Sequence, residues 1–90
     1  MGEYLATGDI DFTDATLISG ASFDSSDNIT LTASGAITLV DVKANDDATI
    51  TAAEIDGATI IAENGNVELT ADQIAASTIT AETGDVTFVG

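Results

Sequence analysis

The chain of 90 residues contains no cysteine, histidine, tryptophan or proline. Without thiol and imidazole groups it lacks the ligands of most zinc, copper and iron sites, and also the commonest catalytic nucleophiles and bases. Binding of a hard cation by oxygen atoms is the metal chemistry that this composition leaves open. The composition therefore predicts a protein that is not an enzyme and that needs no cofactor.

Positive charge is almost absent as well. Lys43 is the one basic side chain against sixteen carboxylates, and the formal net charge is -15. We expect Lys43 to pair with Asp24 or Asp41 at the surface. Such a surface cannot neutralise phosphates, which excludes nucleic acid as a partner. No stretch approaches the roughly 18 apolar residues of a membrane-spanning helix. Residues 1–20 lack the basic and apolar regions of a signal peptide, so no secretion signal is visible and no membrane insertion is predicted.

Small apolar side chains are what the chain has in quantity. Hydrophobic residues make up 44% of the sequence, whereas aromatic residues make up only 4%. A large net charge on a short chain is typical of disorder. The abundance of Ala, Ile, Val, Leu and Thr instead favours folding around a core of small aliphatic groups.

Internal repetition indicates the architecture. Short phrases that begin with Asp or Asn recur every 19 residues: DIDFT, NITLT, DATIT, NVELT and DVTFV. Repeats of this length are typical of solenoids and related arrays. The chain is predicted to be one domain over residues 1–90, with repeat units 9–27, 28–46, 47–65 and 66–84 and partial units 1–8 and 85–90.

Within each unit the apolar residues alternate, which is the period of a strand with one buried face. One unit holds three short strands, of which the middle one is the least regular because its register drifts by a residue between copies. Such a unit cannot bury its apolar face alone, whereas stacked units share a continuous core. The sequence therefore predicts an all-β fold, a parallel β-solenoid with one coil per unit. The predicted core positions are Ile10, Phe12, Ile29, Leu31, Ile50, Val67 and Leu69.

The segments GDIDFT, NITLTASGAITL and NGNVELTADQIAASTITAETGDVTF closely resemble the repeats of filamentous haemagglutinin-like exoproteins, the adhesins of two-partner secretion. Those repeats read GDVTLTA followed by I.A..I.A..G, and the resemblance extends from Gly8 to Val89. It implies a right-handed parallel β-helix, an extracellular or cell-surface location, and a role as a stalk or adhesive fibre. On this interpretation the chain is a stalk repeat excised from a larger secreted adhesin.

The first residue of each repeated phrase alternates between Asp and Asn. In a stack, equal charges about 4.8 Å apart repel, and alternation separates them. One interpretation is structural, because turn residues of this type hydrogen-bond backbone groups with their side chains. The other is a calcium site where carboxylates crowd the corners. The candidate ligands are Asp27, Asp46, Asp47 and Asp85.

Threonine pairs flank the inward residue of the first strand in two units. Alternation predicts that these side chains point outward, and the arrangement resembles the Thr-x-Thr faces of ice-binding solenoids. Ice binding is therefore an alternative function, the other interpretation being that threonine favours exposed strand positions. The pairs are Thr30 with Thr32 and Thr49 with Thr51, and Asp11, Glu68 and Val89 interrupt the array.

The two partial units yield the leading functional prediction. No atypical capping segment is apparent at either end, and the partial units together complete most of one coil. We therefore expect identical chains to stack into a filament, a head-to-tail homopolymer held by edge-strand hydrogen bonds and continued apolar columns. Salt or divalent cations are expected to strengthen the assembly by screening carboxylates. The predicted interface residues are Tyr4, Leu5, Val86, Phe88 and Val89.

Overall fold

A computed structural model describes residues 3–38, 40–75 and 77–89. These residues form fourteen short strands and no helix, which confirms the all-β prediction. In chain order the strands are β1 (Glu3–Ala6), β2 (Ile10–Ala15), β3 (Ile18–Ser19), β4 (Ser22–Ser25), β5 (Ile29–Ala33), β6 (Ala36–Thr38), β7 (Asp41–Ala44), β8 (Ala48–Thr51), β9 (Glu54–Asp56), β10 (Thr59–Ala62), β11 (Val67–Thr70), β12 (Gln73–Ala75), β13 (Thr78–Ala81) and β14 (Val86–Val89).

The strands pair in parallel to form the three walls of a solenoid. The first wall contains β2, β5, β8, β11 and β14, the second contains β3, β6, β9 and β12, and the third contains β1, β4, β7, β10 and β13. Coils 1 to 4 therefore consist of β2–β4, β5–β7, β8–β10 and β11–β13, while β1 precedes coil 1 and β14 follows coil 4. The predicted parallel β-solenoid, with one coil per repeat unit, is confirmed.

Strand register determines which side chains lie inside the first wall. Leu31 pairs with Ile50, and Ile50 pairs with Leu69, each partner being one repeat further along the chain. Every second residue faces inward, so like residues stack in columns and exclude water from one another. Of the predicted core positions Phe12 is half-buried, and the others, Ile10, Ile29, Leu31, Ile50, Val67 and Leu69, are buried.

The other two walls contribute their own inward columns. In the second wall each short strand turns a single isoleucine inward, and Ile18, Ile37 and Ile55 are fully buried. In the third wall the inward column includes Val42 and Ile60, which pair in register. The solenoid interior is thus filled from three sides by aliphatic groups, as the low aromatic content predicts.

The register drift predicted for the middle strand has a structural cause. Every coil has the same length, but each contains one additional residue whose position differs from coil to coil. Where the positions differ, the register between neighbouring coils shifts by one residue. In coil 1 the register shifts within β2, between Phe12 and Ala15. In coil 2 the additional residue lies in the corner at Gly35, so the partner of Ile37 is Ile55, one residue short of a full repeat. In coil 3 it has moved to the last corner, which contains Gly65, and the first-wall register returns to the full repeat length.

Gly65 lies in the corner that holds the additional residue of coil 3. A glycine is required there because the neighbouring corner, with Asp46 and Asp47, lies in close contact with it. A Cβ atom on Gly65 would overlap Oδ1 of Asp47 and lie 2.6 Å from the carbonyl oxygen of Asp46. A backbone carbonyl in a hydrogen-bonded stack cannot easily move away. The additional residue of coil 3 therefore fits only without a side chain.

Replacement of Gly65 by alanine is expected to destabilise the fold by about 1–3 kcal/mol, the usual cost of overpacking. For a domain of this size that corresponds to a fall in melting temperature of roughly 4–8 °C per kcal/mol, measured by circular dichroism. Gly8→Ala is the matched control, because a Cβ at Gly8 meets nothing within 4 Å. Equal melting temperatures for the two variants would contradict the contact.

Candidate functional site

One corner of the solenoid carries a continuous column of acidic and amide side chains. The Asp/Asn column consists of Asp9, Asn28, Asp47, Asn66 and Asp85, each of which directly precedes one strand of the first wall. In each step the backbone N–H of the upper residue donates to Oδ1 of the residue below. The distances are 3.1 Å for Asn28 to Asp9, 3.0 Å for Asp47 to Asn28, 2.8 Å for Asn66 to Asp47 and 2.8 Å for Asp85 to Asn66.

In the first four positions of the column, the residue that follows the Asp or Asn points its backbone N–H in the opposite direction along the stack, toward the next coil. The N–H of Ile29 donates upward to the carbonyl oxygen of Asp47 at 2.9 Å, and the N–H of Val67 donates in the same way to Asp85. Each corner is therefore joined to the next by two hydrogen bonds that alternate in direction. This confirms the structural interpretation of the column, in which side chains bond backbone groups. Asp and Asn serve equally, because only an acceptor oxygen is needed.

A second acidic group lies at the same corner. Asp27 and Asp46 are stacked one coil apart, with the N–H of Asp46 donating to the carbonyl oxygen of Asp27 at 3.1 Å. A hydrogen bond that the protonated Asp27 carboxyl donates to the Asp46 carboxylate, followed by the charge of Asp9, raises the pKa of Asp27 above its ordinary value. Asp47 and Asp85, the other predicted calcium ligands, lie two coils apart in the Asp/Asn column. Among the described residues, no three acidic side chains are grouped so that they could hold a metal ion. The structure therefore gives the calcium prediction no support.

Asp27→Asn is expected to raise the melting temperature at neutral pH slightly. Because the folded protein binds the Asp27 proton more tightly than the unfolded chain does, this carboxyl contributes stability at acidic pH. The contribution is lost as pH rises from the ordinary pKa of 3.8 through the raised one. The variant should lack that loss in thermal melts recorded between pH 3.5 and 7.

Glu54→Gln is the control for this experiment, because it removes one negative charge from an exposed position in the middle of the second wall. In the same outward column, one coil further on, Gln73 already occupies the site. If Asp27→Asn and Glu54→Gln changed the pH profile by the same amount, net charge and not the stacked pair would explain the effect.

The last strand exposes the continuation of the core. Val86 pairs in register with the buried Val67, and Phe88 pairs with the buried Leu69. Val86 and Phe88 thus occupy inward positions of the first wall, yet 39% and 61% of their surfaces are exposed, because no described coil covers them. These two side chains, with β14, form what is here called the open face.

Three of the five residues predicted for the interface have no described side chain at an inward position. Val89 pairs with Thr70 and lies in an outward column. Leu5 is 81% exposed, and it pairs with the outward Asp24. Alternation turns both side chains away from the interior, so neither of them continues the apolar columns. Tyr4 pairs in register with the buried Phe23, but its side chain lies outside the described part of the structure.

The opposite end of the stack is filled by aromatic rings. Phe12 and Phe23 meet edge to face inside coil 1, with ring centroids 5.3 Å apart and planes at 77°. Phe23, Ile10 and Ile18 are buried there, although coil 1 is the first complete coil. Phe23 is not among the core or interface residues predicted from the sequence. The available signal was that residues 24–87 contain no aromatic residue, so every ring of the chain belongs to β1, coil 1 or β14.

Lys43 pairs with Glu63, at 3.3 Å between Nζ and Oε2. The prediction that it pairs with Asp24 or Asp41 is therefore wrong. The reason is the register between β7 and β10, which is one residue shorter than the repeat. It sets Lys43 beside Ile61, so the corner that follows β10 brings Glu63 within reach. Both side chains are more than one third exposed, so the pair contributes little to stability.

The predicted threonine array lies on the outer face of the first wall. Thr30 pairs with Thr49, and Thr32 pairs with Thr51, without a shift in register. Glu68 and Val89 continue these two columns at positions that threonine would need to fill. The structure therefore contains a regular but short threonine patch.

Comparison of the chain with protein-family models, with curated proteins and with solved structures finds no match. The resemblance to filamentous haemagglutinin-like exoproteins stays a prediction. No helix among the described residues is long and apolar enough to cross a membrane.

Proposed function

We propose that the protein is a structural subunit that stacks head to tail with a second copy of itself and so extends the β-solenoid into a filament. The observation that carries this proposal is the position of the aromatic residues. All of them belong to the two end regions of the stack, and Phe88 is exposed at an inward position. Aromatic residues are enriched at protein interfaces, and stacking would bring those of both ends together.

The strand arrangements of the two ends support the same proposal. At one end the first wall extends one strand beyond the others, through β14, and at the other end the third wall extends one strand, through β1. If a second copy continues the stack, its β2 pairs with β14 and its β1 pairs with β13. One coil of the junction is then built by both chains and lacks only its second-wall strand.

The side chains of such a junction would continue the apolar columns. Val86 of one copy would lie beneath Ile10 of the next. Phe88 would lie beneath Phe12, whose ring contacts that of Phe23. An aromatic pair contributes about 0.5–1.5 kcal/mol beyond the area that it buries. The edge strands β14 and β2 also carry backbone groups on the side away from their one neighbour in the wall, and strand addition would pair them.

Net charge opposes the association. A charge of -15 on each copy produces a repulsion that salt screens over a distance of about 10 Å at 0.1 M. The assembly is therefore expected to be weak at low salt and stronger at high salt.

The test is sedimentation velocity together with negative-stain electron microscopy, over a wide range of protein concentration at low and high salt. We expect larger species that grow with concentration and salt, and thin unbranched filaments in the micrographs. A monomer under every condition would contradict the proposal and favour the alternative, a stalk segment of a longer cell-surface adhesin.

A second candidate function is ice binding by the threonine patch, favoured by the matched register of Thr30 with Thr49 and of Thr32 with Thr51. The regular rows of hydroxyl and methyl groups support it, while Asp11 and Glu68 limit its length. Faceted growth of a single ice crystal in the protein solution, with a measurable thermal hysteresis, is the expected result. Unshaped growth would eliminate this candidate.

A further inference from the structure

The Asp/Asn column begins and ends with an aspartate. Its order is Asp9, Asn28, Asp47, Asn66 and Asp85, so no two aspartates are adjacent within the chain. Because the number of positions is odd, end-to-end stacking would bring Asp85 of one copy next to Asp9 of the following copy. The alternation would fail at the junction and at no other step.

The hydrogen-bond pattern of the column requires these two residues to be close. Within the chain, each upper residue donates its backbone N–H to Oδ1 of the residue below, as Asp85 does to Asn66 at 2.8 Å. A junction that repeats the pattern has the N–H of Asp9 donating to Oδ1 of Asp85. The two carboxylates are then about one strand spacing apart, roughly 4.8 Å.

We propose that charge at this one contact controls the head-to-tail assembly, so that Asp85 of one copy and Asp9 of the next hold copies apart until the pair is neutralised or screened. The inference rests on the proposed function. The contact between Asp85 and Asp9 adds a specific repulsion to the general repulsion between acidic chains. It is the one unfavourable contact in a junction that otherwise consists of apolar columns and backbone hydrogen bonds.

The chain contains one pair of acidic side chains stacked one coil apart at this corner. The N–H of Asp46 donates to the carbonyl oxygen of Asp27 at 3.1 Å, and the pKa of Asp27 is raised by a hydrogen bond with the Asp46 carboxyl and also by the negative charges of Asp9 and Asp46. Two further acidic side chains of the described part of the chain belong to the same corner near the junction: Glu82 in the last corner of one copy and Asp27 of the next. Lys43, the one basic side chain of the sequence, pairs with Glu63 on the outside of the third wall.

Asp85→Asn is the direct test, because it removes the charge and keeps the Oδ1 acceptor. Two unit charges at this distance in a water-like medium interact by an amount equivalent to about a fivefold change in an equilibrium constant. We therefore expect the concentration for half-assembly at low salt to fall about fivefold, measured by sedimentation velocity. The dependence of that concentration on salt should also become weaker.

The reciprocal variant Asp9→Asn should have the same effect, and the double variant should gain little over either single one, since either substitution removes the pair. Glu54→Gln is the control for net charge, because its position lies in coil 3, away from both ends. Thermal melts of each variant establish that the folded monomer is retained.

Two results would overturn the inference. Equal assembly of Asp85→Asn and Glu54→Gln would assign the effect to net charge, and additive gains in the double variant would exclude a direct pair. Both results leave the stacked filament itself intact. Failure of the wild type and all variants to assemble at any salt concentration would instead overturn the proposed function, and this inference with it.

Discussion

Leu31→Asp is expected to abolish the folded solenoid. Leu31 is fully buried between Phe12 and Ile50 in the central column of the first wall. Truncation of such a side chain to alanine costs about 2–5 kcal/mol. An unpaired carboxylate at the same place adds a desolvation penalty of several kcal/mol more, which together approach the roughly 5–15 kcal/mol that typically holds a domain folded.

The loss is expected to spread along the stack. In a solenoid each coil is stabilised by contact with its neighbours, and coil 2 lies between coil 1 and coil 3. Circular dichroism should show no β-sheet signal and no cooperative melting for Leu31→Asp, and a lowered melting temperature for Leu31→Ala.

Thr32→Asp is the matched control for this experiment. It places the same carboxylate in the same strand, but at the next position, which faces outward. It should fold and melt within a few degrees of the wild type. Equal loss of structure in Leu31→Asp and Thr32→Asp would contradict the assignment of inward and outward faces.

Phe88→Asp is expected to prevent end-to-end association and to leave the monomer folded. The ring is 61% exposed in the single chain, so its removal there costs little. In the stacked junction an aspartate at this position would be buried against aromatic rings without a partner. A penalty of about 3–5 kcal/mol corresponds to a loss of association of at least a hundredfold, measured by sedimentation velocity.

Val89→Asp is the control within the same strand. It adds the same charge one residue further on, but pairs with Thr70 in an outward column. Both residues are predicted interface positions, but the register of β11 with β14 predicts a large effect for Phe88→Asp and a small effect for Val89→Asp. Equal loss of association in the two variants would count against a junction that continues the core.

The coil and its core columns could be predicted from the sequence because both depend on short-range periodicity. A constant repeat length aligns like positions, and alternation within a strand decides the inward face. Both rules apply well in the first wall, where partners such as Leu31 and Ile50 are one full repeat apart.

The same rules fail where one residue moves between coils. The pairing of Lys43 with Ile61, one residue short of a full repeat, could not be predicted from the repeat, and it decides that Glu63 is the ion-pair partner. The steric requirement at Gly65 also depends on the corner below it, which the order of residues does not describe.

The candidate junction divides in a similar way. The columns of the repeat already place Val86 and Phe88 at inward positions and Val89 in the outward threonine column. The outward direction of Leu5 follows from the register of β1 with β4, which is a property of two strands together. The edge-to-face contact between Phe23 and Phe12 across the interior shows that Phe23 belongs to the aromatic end of the stack.

The internal repeat, together with the abundance of small apolar side chains and the near absence of positive charge, was sufficient by itself to determine a fold of stacked β-coils with an acidic exterior. Composition and period are properties of the chain that folding does not change. Only the tertiary structure decided that Asp and Asn act as acceptors for the backbone of the next coil, that aromatic rings fill one end, and that the other exposes Val86 and Phe88. These features depend on which atoms of different coils meet, and that is determined by stacking.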